Sequence, residues 1–362
     1  MISVNDTRIP LVIIELKKEL GEGGCDPTTQ AGLSMKRYWI PAERQPIRER
    51  CCCPTLMLAG GGPWLGVLGG VFTDRFIVQR LTPMEWFAHS STKEDGRVYH
   101  LTRVLIAFRE CIHDLETFYR SEVPKLRALE AGHAHPRFYP FSNTFVDEAG
   151  KVFTFQYVRK LESDPACVTY LARIDSPQPI FPDLPTSATP ADSCNIVVKF
   201  VNRYGTEVHE FLAKRNHAPR LRYCGPIPNS VVQERLPEAL KVLPPPGLSL
   251  GPMQMVVMDY VPQSKHTPAD ARSKVKVVLD ELHSNGFVFG DLRPQNVLFD
   301  ESGEVQFIDF DWTGRSNDDK SDGIYARYPL NISQNIPWPE GVKGLSTILP
   351  QHDQEMCAKM FF

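Results

Sequence analysis

Asp291, Asn296 and Asp309 carry oxygen atoms at a spacing that suits phosphoryl-transfer chemistry. Asp291 and Asn296 form the pattern D-x-x-x-x-N, and Asp309 opens the short sequence D-F-D. In this chemistry a base orients the attacking hydroxyl, and oxygen ligands hold the metal that neutralises the transferred phosphate. An amide oxygen and a carboxylate suit a hard cation such as Mg²⁺. An exposed acidic turn is the plain alternative, but three such residues around apolar strands favour a site.

The elements that must position these residues are two short apolar runs, Val297 to Phe299 and Val305 to Ile308. The turn cluster Asp300 to Gly303 separates them, so we predict a β-hairpin. A hairpin brings its two ends together. Asn296 and Asp309, which flank the hairpin, are therefore expected side by side, with Asp291 on the loop that leads to Asn296.

The segments HSNGFVFGDLRPQNVLF and VQFIDFD resemble the catalytic and metal-binding loops of the protein-kinase-like superfamily. GDLRPQN together with DFD resembles most the fungal-type protein kinase family. The resemblance implies that Asp291 is the catalytic base and that Asn296 and Asp309 bind magnesium at the ATP site. It also implies that Arg293 lies against the γ-phosphate, where its planar fork can grip phosphate oxygens.

Two positions depart from that family pattern. The usual His-x-Asp is Phe289-Gly290-Asp291, so an apolar ring replaces a structural histidine. The usual D-F-G is D-F-D, so Asp311 replaces a flexible glycine and adds a charge beside the metal site. Neither change removes a reacting group, but both bear on the active geometry.

Upstream of the loops, consecutive strands are predicted where a kinase small lobe would begin. They are FTFQYVRKL, CVTYLARI and NIVVKFV. Lys199 interrupts the last run, and a lysine removed from water needs a negative partner. By resemblance Lys199 binds the α- and β-phosphates of ATP, and its partner is Glu207 at the start of a helix over 206 to 215, with Glu210 as second choice. A surface lysine is the plain alternative.

Two further features bear on nucleotide binding. The turn RKLESDPACV lacks the glycines that let backbone amides approach phosphates, which predicts weak binding. The strand MQMVVMDYV resembles the one that enters the kinase hinge. Met258 would line the adenine pocket, and Asp259 to Val261 would offer it backbone hydrogen bonds.

Length and composition limit the class of protein. A chain of 362 residues predicts two domains, and a net charge of -3 gives no overall footprint for nucleic acid, so a nucleic-acid partner is not expected. Neither a signal sequence nor a membrane span is found, so an intracellular location is expected, with cytoplasm and nucleus not distinguished. Nine cysteines without zinc spacing indicate free thiols, including the run Cys51 to Cys53.

The N-terminal region carries a second motif. IPLVIIEL reads as a strand on which Glu15 and Lys17 share a face, and a Gly-rich turn then leads to Asp26-Pro27 and a helix to Trp39. This arrangement resembles the PD-(D/E)xK nuclease fold, in which the glutamate binds metal and the lysine activates water. Asp6 is the only candidate for that fold's earlier acidic ligand, so we expect a partial, inactive domain.

The remaining patterns predict scaffold. A strand pair over 64 to 82 turns at Thr73-Asp74, and Tyr99 to Tyr119 is predicted to be helical. His133 and His135 lie in a linker and are not expected to bind metal. A helix over 268 to 283 has one apolar face, and a final helix begins at His352-Asp353. The segments 175 to 193 and 237 to 252 read as flexible insertions.

The expected fold class is therefore α+β. A partial α/β restriction-endonuclease-like domain (residues 1 to 130) precedes a two-lobed protein-kinase-like domain (131 to 362), with a small lobe over about 138 to 261 and a truncated large lobe over about 262 to 362. The expected function is ATP- and Mg²⁺-dependent transfer to a hydroxyl of a protein serine or threonine. Three alternatives stay open: a pseudokinase scaffold, a small-molecule kinase of aminoglycoside-phosphotransferase type, and a metal-dependent nuclease. The sequence leaves the oligomeric state open.

Overall fold

The chain divides into two compact units, Met1–Phe141 and Ser142–Phe362. Both units combine helices with sheets, so the fold class is α+β. The sequence predicts the boundary after residue 130, whereas the contacts place it after Phe141. The computed structural model describes residues 1–4, 7–88, 94–130, 135–162, 168–175, 195–228, 253–264, 266–316 and 325–360.

Unit 1 is built on a five-stranded sheet. Its N-terminal hairpin pairs β1 (Ile2–Val4) with β2 (Thr7–Ile9), and the sheet contains β3 (Val12–Lys17), β4 (Thr55–Gly61), β5 (Trp64–Phe72), β6 (Phe76–Arg80) and β7 (Glu85–Trp86). The order is β3-β4-β5-β6, and β7 also pairs with β5. β3 and β4 are parallel, and the other neighbours are antiparallel. The predicted strand pair that turns at Thr73-Asp74 is confirmed.

The helices of unit 1 are α1 (Pro27–Trp39), α2 (Gln45–Arg48) and α3 (Glu94–Thr117). α1 begins where the sequence predicts, because the Asp26 carboxylate accepts hydrogen bonds from the amides of Thr28 (2.9 Å) and Thr29 (3.1 Å). At the other end of α1, the buried Trp39 ring donates from Nε1 to Thr55 Oγ1 at 2.9 Å. α1 is thereby fixed to the sheet at the centre of the core of unit 1.

Unit 2 begins with a six-stranded antiparallel sheet. Its strands are β8 (Thr144–Val146), β9 (Val152–Lys160), β10 (Thr169–Ile174), β11 (Asn195–Val201), β12 (Leu221–Pro226) and β13 (Gln254–Asp259). The order is β12-β13-β11-β10-β9-β8, which places β11 inside the sheet. The three consecutive strands predicted from the sequence are confirmed as β9, β10 and β11. α4 (Thr206–Ala213) follows β11 directly.

The rest of unit 2 surrounds the predicted loops. It contains α5 (Ala271–Ser284), β14 (Phe287–Val288), β15 (Val297–Phe299), β16 (Val305–Phe307), β17 (Gly314–Arg315) and α6 (Pro350–Met360). β15 and β16 form the predicted hairpin, with Val297 opposite Phe307. α5 buries the predicted apolar face, and its side chains join one core with those of the loops and of α6. Among the helices described, none has the length and apolarity needed to cross a membrane.

Candidate active site

A cavity of 680 Å³ in unit 2 contains most of the residues that the sequence predicts to be functional. β11, β13 and the hairpin β15–β16 all contribute to its wall. The predicted residues that line it are Lys199, Met258, Asp259, Val261, Arg293, Asn296 and Asp309. Side chains far apart in the sequence thus meet at one place, although their individual roles stay predictions.

Lys199 lies in β11, opposite Val256 of β13 and Thr169 of β10. Its side chain is 9% exposed, and Nζ donates to Asp309 Oδ1 and to Asp311 Oδ1, each at 2.7 Å. Burial alone would lower the pKa of Lys199, but the two carboxylate charges outweigh it and raise that pKa. The ammonium is therefore held firmly in its charged form.

The structure contradicts the expected partner of Lys199. Glu207 lies in the first turn of α4 and accepts a hydrogen bond from Arg315, with 57% of its side chain exposed. The second choice, Glu210, faces Lys214 on the same helix at 3.9 Å. The acidic residues of α4 thus pair with other cations. Asp309 and Asp311 bond Lys199 instead of the predicted Glu207 or Glu210.

Asp291 is buried and is held by its two predicted neighbours. Arg293 donates from Nε to Oδ1 at 2.5 Å and from Nη2 to Oδ2. Asn296 donates from Nδ2 to the Asp291 carbonyl oxygen at 2.8 Å and to Oδ2 at 3.0 Å. Burial raises the pKa of Asp291, and the Arg293 charge opposes that rise only in part. The carboxyl group is thus shifted towards the pH range in which a base can take up a proton.

The hairpin β15–β16 brings Asn296 and Asp309 together as predicted. Ile308 donates from its amide to the Asn296 carbonyl oxygen at 3.0 Å, which closes the base of the hairpin. Asp309 has a φ of 68°, a left-handed conformation that is uncommon away from glycine but is more accessible to aspartate than to most residues. This backbone turn directs the Asp309 side chain towards Lys199.

Asn296 and Asp309 are the residues that could hold a hard cation. The hydrogen bonds of the Asn296 side chain are both donated from Nδ2, so Oδ1 keeps its lone pairs for a ligand. The described residues include no cluster of three or more His, Cys, Asp or Glu side chains arranged to bind metal. A magnesium ion here would depend on these two residues, phosphate oxygens and water, which is how Mg²⁺ is commonly bound.

The hinge-like segment after β13 also lies on the cavity. The Asp259 amide donates to the Arg220 carbonyl oxygen at 3.0 Å, and the Asp259 carboxylate accepts from Arg222. In the part of the chain described here, the backbone of Val261 forms no hydrogen bond. Val261 is thus the residue of this segment whose amide remains available to a ligand. Half of the predicted glycine-free turn RKLESDPACV, residues 163–167, lies outside the described residues.

Sequence reasoning missed the role of Asp353, a residue of α6 that contacts the loop before Asp291. Its side chain is 1% exposed and accepts from the amides of Phe289 (2.8 Å) and Gly290 (2.7 Å) and from His283 at 3.0 Å. Gly290 has a φ of 83°, which explains the glycine before Asp291. The sequence offers only one signal for Asp353, a carboxylate in the first turn of a helix.

Asp311 was predicted only as a departure from the family pattern. Burial raises its pKa to about 6, the nearby Asp309 charge adds to the effect, and the Lys199 ammonium opposes it. Between the two aspartates, Phe310 is fully buried and stacks on His209 with ring centroids 4.3 Å apart. Phe289, the ring in place of the structural histidine, packs on Phe310 at 5.8 Å.

The nuclease-like residues of unit 1 have structural partners. Glu15 accepts a hydrogen bond from Ser34 at 2.6 Å, and Lys17 donates to the carbonyl oxygens of Glu22 (2.9 Å) and Cys25. Lys17 thereby closes the Gly-rich turn after β3. His135 bonds the Arg127 carbonyl oxygen at 2.9 Å. Asp6 and His133 lie outside the described residues, and a nuclease-like fold for this unit stays a prediction.

Comparisons with known proteins relate the chain to protein kinases over a short segment. It is 41% identical over 54 residues to flippase kinase 1 of Saccharomyces cerevisiae, which covers 14% of this chain and 6% of that kinase. It is 39% identical over 46 residues to ribosomal protein S6 kinase alpha-3 of Mus musculus and of Homo sapiens, which covers 13% of this chain and 6% of each kinase. No model of a known protein family matches. The match thus spans a small part of these relatives and indicates a kinase-like relation at most.

Proposed function

We propose that unit 2 catalyses ATP- and Mg²⁺-dependent phosphotransfer to a hydroxyl group, with a serine or threonine of a protein as the acceptor. The observation that carries the proposal is the convergence of Lys199, Asn296 and Asp309 on one cavity, with Asp291 bonded to Asn296. The short similarity to protein kinases supports the same reaction class. The partners are accordingly ATP and a protein substrate.

The residues present fit the two ligands that this reaction needs. Asn296 Oδ1 and the Asp309 carboxylate supply the oxygen ligands for Mg²⁺, which would neutralise charge on the phosphates. Lys199 is the cation that faces the α- and β-phosphates, and the Val261 amide is a donor for the adenine ring. The cavity, at 680 Å³, has the size of a small-molecule site.

Asp291 and Arg293 have complementary roles in the proposed reaction. Asp291 orients the acceptor hydroxyl and accepts its proton, which its raised pKa favours. Arg293 grips both Asp291 oxygens in this structure. When phosphate oxygens enter, the same guanidinium exchanges the carboxylate for phosphate and frees Asp291 for the hydroxyl.

Substitution of Asp291 tests this function. Purified wild type, Asp291→Asn and Asp280→Asn would be incubated with labelled ATP, Mg²⁺ and generic protein acceptors. Asp280 is the matched control, since it is an exposed aspartate on α5 that pairs with Lys276. Loss of the base is expected to lower the rate about 10²- to 10⁴-fold, with Asp280→Asn unchanged. Equal phosphotransfer by wild type and Asp291→Asn would count against the proposal.

The second candidate function is a binding module that does not catalyse. It is favoured by one observation, namely that Lys199 and Asp291 are both engaged by internal ion pairs. A nucleotide that binds only the folded protein raises its melting temperature, so a thermal shift with Mg-ATP separates the two candidates. A shift that depends on Lys199 supports the phosphotransferase, and no shift supports the module.

A further inference from the structure

The Lys199 ammonium lies between two carboxylates of the same turn. Asp309 and Asp311 each place Oδ1 at 2.7 Å from Nζ, and their side chains remain 34% and 29% exposed. Both carboxylates therefore bond the buried lysine while part of each side chain remains in contact with solvent. Of these two aspartates, only Asp309 belongs to the proposed metal site. Asp311 therefore has no assigned role.

Helix α4 does not supply a partner to this lysine. Its acidic residues Glu207 and Glu210 pair with Arg315 and Lys214. Gly205, the N-cap residue of the helix, donates from its amide to the Phe310 carbonyl oxygen at 2.9 Å. A Cβ at Gly205 would overlap Thr313 Oγ1, so no side chain fits there. The start of α4 is thus occupied by the backbone that follows Asp309.

The turn that carries Asp311 is well anchored. Arg203 donates to the carbonyl oxygens of Trp312 (3.0 Å) and Arg327 (2.7 Å), and Thr313 Oγ1 donates to the Phe310 carbonyl oxygen at 3.1 Å. These bonds fix the backbone on the C-terminal side of Asp311. An anchored backbone with a short side chain positions a carboxylate more sharply than a long, exposed glutamate on α4 does.

We propose that Asp311 is the positioning residue for Lys199: its carboxylate, 2.7 Å from Nζ, holds the ammonium in the cavity and would still hold it if Asp309 were engaged by a metal ion. The catalytic consequence rests on the proposed phosphotransferase function, whereas the ion pair itself does not. The aspartate in place of the family's glycine then has a purpose, since the acidic residues of α4 pair with Arg315 and Lys214 and leave Lys199 to the turn after β16.

The ionisation of Lys199 is a direct readout of this role. The full-length protein without nucleotide would be treated briefly with acetic anhydride at a series of pH values, and Lys199 acetylation measured by mass spectrometry. The titratable and charged groups that face the pair are Asp309, Arg203 and Tyr204, with Asp291 near Asp309. They are common to all variants, so a change in the labelling midpoint reports the substituted residue.

Asp311→Asn is nearly isosteric and removes only the charge. We expect the labelling midpoint of Lys199 to fall by about one pH unit or more, because an opposite charge at this distance raises a lysine pKa by that order. Asp311→Gly removes the whole side chain and is also expected to lower the midpoint. This second variant keeps the test valid if Asp311→Asn fails to fold. Asp311→Glu keeps the charge and is expected to restore at least part of the midpoint.

Glu207→Gln is the competing variant. It is expected to leave the Lys199 midpoint unchanged, since Glu207 binds Arg315. A wild-type midpoint in both Asp311→Asn and Asp311→Gly, or a fall in Glu207→Gln instead, would overturn the proposal.

Catalysis provides an independent second measurement. In Asp311→Asn the KM for ATP is expected to rise about tenfold or more, with a smaller change in kcat, because Lys199 contacts ATP and not the acceptor. The two proposals fail separately. If the wild type shows no phosphotransfer, the proposed function fails, but the titration of Lys199 still tests its ion pair with Asp311. If the wild type is active and the Asp311 variants leave the titration unchanged, only the proposed role of Asp311 fails.

Discussion

His209 is a fully buried imidazole next to the site. Nε2 lies 2.7 Å from the Pro219 carbonyl oxygen, and Nδ1 lies 2.8 Å from the Tyr204 hydroxyl. Burial lowers the pKa of His209 to about 4, so the ring is neutral near pH 7. Because a carbonyl oxygen can only accept, Nε2 carries the single proton of the neutral ring, and Nδ1 accepts from Tyr204. Its flat stack on Phe310 connects α4 to the turn between the two aspartates.

We predict that His209 makes unit 2 less stable in acid. Its folded-state pKa of about 4 lies below the ordinary value of 6.5, so the unfolded chain takes up a proton first. Its stabilising contribution is complete above pH 6.5, falls as the pH drops towards 4, and amounts to about 3 kcal/mol. Urea denaturation of wild type and His209→Phe between pH 7.5 and 4.5 measures it, and the difference between the two should shrink on acidification.

The comparison with His209→Phe is necessary because Asp311 changes the free energy of unfolding with pH in the opposite direction. Its folded-state pKa of about 6 lies above the ordinary 3.8, so its contribution is present in acid and is lost as the pH rises through 6. Asp311 is common to both proteins and cancels in their difference. A difference that is constant over this pH range would show that His209 is not buried as a neutral ring.

At the scale of residues, the sequence predicted what depends on local spacing. Asp291, Asn296 and Asp309 flank one hairpin, so their approach follows from a single turn. The Lys199–Glu207 pair failed because it depends on how α4 packs, and the contact of Gly205 with Thr313 is not visible in a linear pattern. Asp353 was missed for the same reason, since it contacts the loop only through tertiary structure.

Helix α6 supports the loop that carries Asp291 through one carboxylate. Asp353 accepts from two backbone amides that belong to neither a helix nor a sheet ladder, and from His283 at the end of α5. Buried amides without a partner cost free energy, so this residue holds the loop in one conformation. Two helices and the loop before Asp291 are thereby joined.

We predict that Asp353→Ala destabilises unit 2 by about 2–5 kcal/mol, because it leaves two buried amides and one imidazole unsatisfied. Amide hydrogen exchange at Phe289 and Gly290 should accelerate, and the proposed phosphotransfer should fall in step with it. Glu355→Ala on the exposed side of α6 is the control and is expected to change stability by less than about 0.5 kcal/mol. Similar exchange in both variants would contradict this role of Asp353.

The start of α4 gives a second prediction at the scale of elements. Gly205→Ala keeps an allowed backbone, with φ of -87°, but places a methyl group against Thr313. Overpacking of this kind is expected to cost about 1–3 kcal/mol and to loosen α4 from the turn after Asp309. Gly96→Ala in α3 is the matched control, because its added methyl would meet no atom within 4 Å. Denaturation midpoints of the two variants test the difference, and equal midpoints would refute it.

The elements themselves were largely predictable, since hydrophobic periodicity is a local property. The apolar face of α5 and the strands β9, β10, β11 and β13 follow directly from it. The ends of elements were less predictable. α4 ends at Ala213 and not at the predicted residue 215, and Asn216 turns the chain with a φ of 59°. The sheet order, with β11 inside, required contacts between distant strands and was not predicted.

On the scale of the whole molecule, each unit has its own hydrophobic core. The core of unit 1 is centred on Trp39, which stacks on Tyr119 and is fully buried. The core of unit 2 surrounds α5 and the loops of the candidate site, with Val275 fully buried. A region with a core of its own can unfold as a separate cooperative unit.

We therefore predict that damage to unit 1 leaves the candidate site of unit 2 intact. Trp39→Ala removes a large buried ring and its bond to Thr55, and should destabilise unit 1 by about 3–5 kcal/mol. Hydrogen exchange in β3 to β5 should accelerate, while protection of the segments around Lys199 and Asn296 by Mg-ATP persists. Val275→Ala in α5 is the reciprocal control and should reduce that protection without affecting β3 to β5. Loss of nucleotide protection in Trp39→Ala would show instead that the site depends on both cores.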